Sequence, residues 1–161
     1  MAGLPKERPG QLDSPVVQKL MKLGSRLNTG IYRASGGRIG STWRVGSASH
    51  KPTPVCLLTT IGRKSGEPRT APLLYLRRGD DFIVVASQGG LPHNPAWYLN
   101  LQATPEVVIE VGRERHELLA RTADDAERAE LWPKLVEMYA DFENYDSWTD
   151  RTIPVVICSP R

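Results

Sequence analysis

The sequence is poor in the residues that usually carry chemistry by themselves. It has two cysteines in 161 residues, Cys56 and Cys158. Both sit inside apolar runs and outside any metal-ligand spacing, which argues against a disulfide scaffold and against a zinc site. The three histidines, His50, His93 and His116, share no metal-like spacing either, so no metal is expected. There is no G-x-S-x-G and no cysteine beside a histidine motif, which leaves hydrolase chemistry without a nucleophile. No run approaches the roughly 18 uninterrupted apolar residues of a membrane span, and the opening MAGLPKERPG lacks the apolar core of a signal peptide. The chain is therefore expected to stay in a reducing cytoplasm. What is present is ordinary, 40% hydrophobic and 24% charged residues, enough for one globular core. Any enzyme built this way would take its chemistry from a cofactor.

Charge is unevenly placed. Residues 1–51 carry nine Lys or Arg against two acids, and residues 52–161 carry twelve against sixteen. Ser14-Pro15 reads as a helix start, and Val16, Leu20, Leu23, Leu27 and Ile31 follow in steps of four and three along one face. Lys19, Lys22, Arg26 and Arg33 gather on a neighbouring face. Such a basic amphipathic helix either packs its apolar stripe on the core or lays it on a membrane surface. Nucleic acid is a poorer partner, because no aromatics are interleaved for base stacking. The Gly- and Ser-rich stretch from Arg33 to Lys51, with Trp43 in it, reads as a linker or flap. The chain thus divides into an arm, 1–51, and a body, 52–161.

The body reads as strands with hairpin turns. The run from Pro54 to Gly62 is the first, Arg69 to Leu76 the second and Phe82 to Ser87 the third, a meander. Asn94-Pro95 starts a helix that Pro105 stops. Glu106 to Val111 and Arg115 to Arg121 form another hairpin with one solvated face. Thr122 with Asp125 resembles a capping box for a helix from Ala123 to Tyr139, with a kink expected at Pro133. Tyr139, Phe142, Tyr145 and Trp148 then cluster before a last strand, Ile153 to Cys158. About six mostly antiparallel strands and two to three helices make an α+β domain, an antiparallel sheet or small barrel.

Two constellations stand out. Gly62-Arg63-Lys64-Ser65-Gly66-Glu67-Pro68-Arg69 crowds three cations and two glycines into a hairpin, which is either a solvated turn or a seat for a phosphorylated or polycarboxylate ligand. Ala86-Ser87-Gln88-Gly89-Gly90, ahead of Asn94 to Asn100, is either a plain strand-to-helix connection or a set of backbone donors for the edge of a heteroaromatic ring.

The strings LLTTIGRKSGEPRTAPLLYL, VVASQGGLPHNPAWYLNLQATPEV and ELWPKLVEMYADFENYDSWTDRTIPVVIC, spread over residues 54–160, resemble the deazaflavin-dependent nitroreductase and quinone reductase family of actinobacteria. The resemblance implies a split β-barrel that binds coenzyme F420, an 8-hydroxy-5-deazaflavin with a phosphate and an oligoglutamate tail. It implies that Arg63, Lys64, Ser65 and Arg69 hold the phosphate and tail. Thr70, Ala71, Pro72, Leu73 and Leu74 would run along the cofactor. Val85, Ala86, Ser87 and Gln88, with Ala96, Trp97, Tyr98, Leu99 and Asn100, would flank the ring, and Phe142 would line the site. Ser87, Tyr139 and Tyr145 would supply hydroxyls beside the reacting ring. The implied reaction is hydride transfer to a hydrophobic acceptor such as a menaquinone-like quinone, a nitroaromatic or another enone. The basic helix, residues 14–33, would bring the site to the inner face of the membrane.

The chain departs from the nitroreductase members at Leu74 and Phe142, where they carry tyrosines, and at Gln88, where they carry a lysine. Nitroimidazole reduction is the activity this puts in doubt. Two other readings stand beside the reductase: a deazaflavin carrier or peripheral membrane protein without turnover, and an FMN-binding split barrel. The oligomeric state stays open.

Overall fold

A long apolar run flanked by turn residues can form a buried strand or a buried helix segment; length and β-branched content decide for the strand here. In the computed structural model, which describes residues 10, 14–44, 48 and 51–161, that run is β2 (Thr53–Ile61), the hub of the sheet. Most of the arm before Ser14, and His50, lie outside the described residues. In chain order the elements are α1 (Pro15–Ala34), β1 (Thr42–Trp43), β2, β3 (Pro68–Leu74), β4 (Leu76–Arg78), β5 (Asp81–Val85), a short 3-10 turn (Gln88–Gly90), α2 (Ala96–Ala103), β6 (Glu106–Val111), β7 (Glu114–Thr122), α3 (Asp125–Met138), α4 (Asp141–Ser147) and β8 (Val155–Pro160).

The strands form one eight-stranded antiparallel sheet in the order β1-β2-β6-β7-β8-β5-β4, with β3 on the other side of β2. The expected meander is not what forms. The second run breaks at Tyr75 into β3, paired with β2, and β4, paired with β5, so the sheet curls and β5 finds its partner in the terminal β8. The break was hidden because apolar residues continue through it. Among the described residues eight strands stand where about six were expected, since the Gly- and Ser-rich stretch also supplies β1, with Trp43 opposite Thr53.

At β5 and β8 the curled sheet is buried on both faces. Phe82, Val84 and Ala86 of the β5 run point to one cluster with Cys56, Leu58, Ile109 and Cys158. Ile83 and Val85 point to a second cluster with Leu131 and Leu135 of α3 and Phe142 of α4. This explains why β5 and β8 read as unbroken apolar runs although the sheet is antiparallel, where one solvated face is common. Burial pushes the thiols of Cys56 and Cys158 up, the latter to about 12, so both are inert core residues. Helix α3 runs through Pro133. Its capping box lies two residues beyond the expected one: the Asp124 carboxylate accepts from Glu127 N–H at 2.8 Å, and Glu127 accepts from Asp124 N–H at 3.1 Å. Thr122 was a misleading cue because it is the last residue of β7. Likewise Asn94 does not cap α2; Pro95 occupies that position without a side-chain hydrogen bond.

Helix α1 removes one of the two alternatives that the sequence left open. Its apolar stripe does not pack on the core: Val16, Leu20, Leu23 and Leu27 are 62–67% exposed. The helix faces the sheet with its polar side, where Thr29 and Tyr32 are the buried residues. The Tyr32 hydroxyl accepts from Gly112 N–H at 2.8 Å and donates to the Val55 carbonyl at 3.3 Å. Arg33 pairs with Glu110 at 2.7 Å and donates to Thr70 Oγ1 at 3.3 Å. Tyr32→Phe would orphan the Gly112 donor, and we expect a stability loss of about 1–2 kcal/mol. Thermal unfolding should show a fall of about 3–6 °C; an unchanged midpoint would remove Tyr32 as the anchor of the helix.

Candidate active site

The β2–β3 hairpin is built from its turn chemistry outward. Gly62 N–H donates to Glu67 O and Gly66 N–H to Gly62 O, both at 2.8 Å. Gly66 sits at φ +70°, where a side chain would be strained, and a Cβ on Gly62 would come within 2.6 Å of Ser65 Oγ. Asn100, buried in α2, ties the loop down from below. Its Oδ1 accepts from Arg63 N–H at 3.1 Å and from Arg63 Nη1 at 3.3 Å, while its Nδ2 donates to Thr60 Oγ1 at 3.2 Å. Arg69 Nη2 donates to Ser65 Oγ at 3.4 Å. Arg63, Lys64, Ser65 and Arg69 are all exposed, so the loop presents three cations to solvent on a fixed backbone.

Strand β3 leads from this loop to the aromatic cluster. Ala71 and Leu73 pack inward against the barrel core. Alternation places Thr70, Pro72 and Leu74 on the other face, and Thr70 Oγ1 lies 2.8 Å from Thr59 Oγ1. Leu74 ends the strand in the second cluster, with Tyr139, Phe142 and Tyr145. The Tyr139 and Tyr145 hydroxyls are 3.2 Å apart, and the Phe142 ring stands edge-on to Tyr139 at 5.1 Å. Trp43 stands beside Tyr139 and opposes part of the effect of burial on its hydroxyl. Burial raises both tyrosine pKa values. They are neutral hydroxyls at any working pH.

The strand exit after β5 closes the third side. Val85, Ala86 and Ser87 are buried, and the next three residues are left-handed, with φ 45° at Gln88, 60° at Gly89 and 74° at Gly90. The Gln88 side-chain oxygen is buried with no hydrogen-bond partner. A Cβ on Gly90 would approach Tyr145 O to 2.9 Å, so this turn packs directly on α4.

The remaining site candidates are placed differently from the sequence expectation. Trp97 and Tyr98 lie in the barrel core cluster, and Leu99 packs against it. Tyr98 shares a hydrogen bond of 2.8 Å with Thr122, and Asn100 is committed to the hairpin. These side chains support the site from behind, leaving Ala96 as the exposed member of the group. Sequence reasoning missed Arg151, Trp43 and Arg33 as neighbours of the site. Their partners lie far along the chain, and no local motif marks them. His93 is exposed, and His116 stands 3.5 Å from Glu114 with its ring against Phe82. Two open cavities, about 410 Å³ beside Arg33 and Arg113 and about 300 Å³ beside Arg77 and His116, are lined by no residue of the Gly62–Arg69 loop or of the aromatic cluster.

Comparison with known proteins gives these placements a context. The model of a family described as F420H(2)-dependent quinone reductase matches residues 24–160. The F420H(2)-dependent quinone reductase Rv1261c of Mycobacterium tuberculosis strain H37Rv is 43% identical over 139 residues, 84% of this chain and 89% of its own. Among solved structures, the F420-H2 dependent reductase FDR-A matches with a TM-score of 0.62 at 38% identity, over 66% of this chain and 94% of its own. A second, described as a domain-swapped dimer, matches with a TM-score of 0.64 at 31% identity, over 91% of this chain and 100% of its own. The curled antiparallel sheet is the split β-barrel expected from the sequence.

Proposed function

Since the chain belongs to the F420H(2)-dependent quinone reductase family and is an F420-dependent oxidoreductase, we propose that it reduces a hydrophobic quinone of the menaquinone type, with residues 52–161 forming the cofactor-binding body. The carrying observation is that one strand joins the two halves of such a site. β3 begins beside Arg63, Lys64, Ser65 and Arg69 and ends at Leu74 among Tyr139, Phe142 and Tyr145. Seven extended residues span about 23 Å, long enough to separate an anionic tail from a ring.

The residues fit an anionic deazaflavin. Exposed cations on a glycine-shaped loop suit phosphate and carboxylates, with Arg63 and Arg69 offering forked donors and Lys64 a point charge. The unpaired Gln88 oxygen calls for a donor from outside the chain. When bound, the reduced deazaflavin supplies a hydride in a two-electron step. The chain's own part is orientation. Thr70, Pro72 and Leu74 line one edge. Tyr139 and Tyr145, as neutral hydroxyls, can hydrogen-bond an acceptor carbonyl and hold a proton for it, and Ser87 stands at the strand exit. Leu74 and Phe142 put apolar side chains at this end of the site where the nitroreductase members carry tyrosines, which favours a quinone over a nitroimidazole.

Location is part of the same reading. Among the described residues no helix is long and apolar enough to cross a membrane. Yet α1 exposes its apolar stripe beside Lys19, Lys22 and Arg26 and contains no acid, the pattern of a helix lying on an anionic lipid surface, where lipid-soluble quinones reside.

Fluorescence titration with oxidised F420, FMN in parallel, tests the cofactor, and menadione-dependent oxidation of F420H2 tests the acceptor. We expect micromolar or tighter F420 binding, weak FMN binding and quinone-dependent turnover. F420 binding without turnover would make the protein a carrier, and preference for FMN would overturn the reading of the hairpin.

A further inference from the structure

Arg151, between α4 and β8, lies in the third of the resembling strings with no role attached to it there, yet its side chain makes four hydrogen bonds, every one to a neutral acceptor. Its Nε donates to Leu91 O at 2.9 Å and its Nη1 to Asn94 Oδ1 at 2.7 Å. Its Nη2 donates to Ser87 O at 2.9 Å and to Ala86 O at 3.1 Å. These acceptors bracket the Gln88–Gly90 turn. Two precede it and two follow it, so one planar fork holds both ends.

Between those ends the backbone is strained. Gly89 and Gly90 adopt positive φ at little steric cost, but Gln88, at φ 45°, places a Cβ where L-residues are disfavoured. Such a residue persists when its surroundings over-determine it, and strain of this kind gathers at ligand clamps. The surroundings are visible here: the Arg151 fork on one side, and Tyr145 O and Trp148 against Gly90 on the other. Gln88 also carries the buried, unpartnered side-chain oxygen. Strain and an orphan acceptor in one residue point to the same cause, a ligand that completes the site.

We propose that Arg151 is a positioning residue that locks the Gln88–Gly90 turn in its left-handed form and so presents the Gln88 amide oxygen to an N–H or O–H donor on the edge of the bound deazaflavin ring. This rests on the F420-binding reading above. The fork, more than the charge, performs the task. A lysine ammonium has no planar set of donors to span acceptors at both ends of the turn.

The test is a double-mutant cycle on F420 affinity, read by fluorescence on protein whose thermal midpoint is measured alongside. Arg151→Met and Gln88→Ala should each raise the Kd about tenfold or more. Arg151→Lys should do nearly the same. In the Gln88→Ala background, Arg151→Met should add less than about twofold, because the group it positions is gone. The KM for F420H2 should rise with the Kd while the KM for menadione holds, a split that mere loss of folded protein would not produce. Folded Arg151→Met with unchanged Kd, or effects that multiply independently, would overturn the proposal. Should Arg151→Met fail to fold, Arg151→Lys and Asn94→Ala carry the same comparison. A separate arm needs no cofactor: Gln88→Gly should raise the midpoint of the wild type by about 2 °C and leave that of Arg151→Lys unmoved. If the wild type fails to bind F420, the parent reading falls, and this arm still decides whether the clamp exists. No midpoint rise in the wild type would refute the strain.

Discussion

Replacing Arg63, Lys64 and Arg69 together by alanine should weaken F420 binding by two to three orders of magnitude while leaving the fold intact. The three side chains are exposed on a loop whose backbone is held by Gly62, Gly66 and the Asn100 amide, so truncating them removes charge without removing the scaffold. Exposed substitutions of this kind change stability by about 0.5 kcal/mol or less. Each charge-assisted contact to a phosphate or carboxylate is worth about 1–1.5 kcal/mol at an exposed site, and 1.4 kcal/mol is a factor of ten in affinity. Three of them give about 3–4.5 kcal/mol. The salt dependence should fall in parallel: raising NaCl from 50 to 500 mM should weaken wild-type binding several-fold more than binding by the triple variant. Removing Arg113 and Arg115, two cations of the β6–β7 hairpin away from this loop, controls for the loss of positive charge elsewhere on the surface and should leave the Kd within about twofold. An unchanged Kd in the triple variant would mean that the loop is only a solvated turn.

How far the sequence reached follows from the range of the forces involved. The hairpin was legible because its information is local: glycines that must turn, three cations against the single acid Glu67, and strands on both sides. The aromatic cluster was legible as composition, and Leu74 joins it in space because β3 delivers it there. What escaped was set by distant partners. The division of β3 from β4 at Tyr75 depends on where the sheet curls, and the pairing of β5 with β8 spans half the chain. The resemblance set Trp97 and Asn100 beside the ring, whereas the short helix α2, packed on the barrel, commits Trp97 to the core and the Asn100 amide to the hairpin. Arg151 was invisible for the same reason. Its meaning lies entirely in carbonyls about sixty residues away.

The exposed face of α1 carries the other large effect. Changing Leu20, Leu23 and Leu27 together to serine should abolish sedimentation with vesicles containing about 30% anionic lipid and leave F420 affinity and thermal stability where they were. The stability half follows from exposure: each leucine is at least 62% exposed, so the fold loses little when they go. The lipid half follows from the same number reversed. Side chains this open can bury apolar area on a bilayer, about 1 kcal/mol each once partial immersion is allowed for. Lys19, Lys22 and Arg26 add about 1 kcal/mol each near an anionic surface. Removing the three leucines then lowers partitioning about a hundredfold, whereas neutral vesicles should bind the wild type weakly from the start. Helix α1 can play this part because it is docked back to front: Thr29 and Tyr32 hold it to the barrel, and the hydrophobic stripe is left for something outside the chain. A second copy is the competing occupant. If wild-type protein sediments as a dimer that the serine variant dissociates, and neither binds vesicles, the stripe is a subunit interface and the lipid assignment fails. Binding to anionic vesicles with a monomeric wild type would place the acceptor site beside the phase in which hydrophobic quinones dissolve.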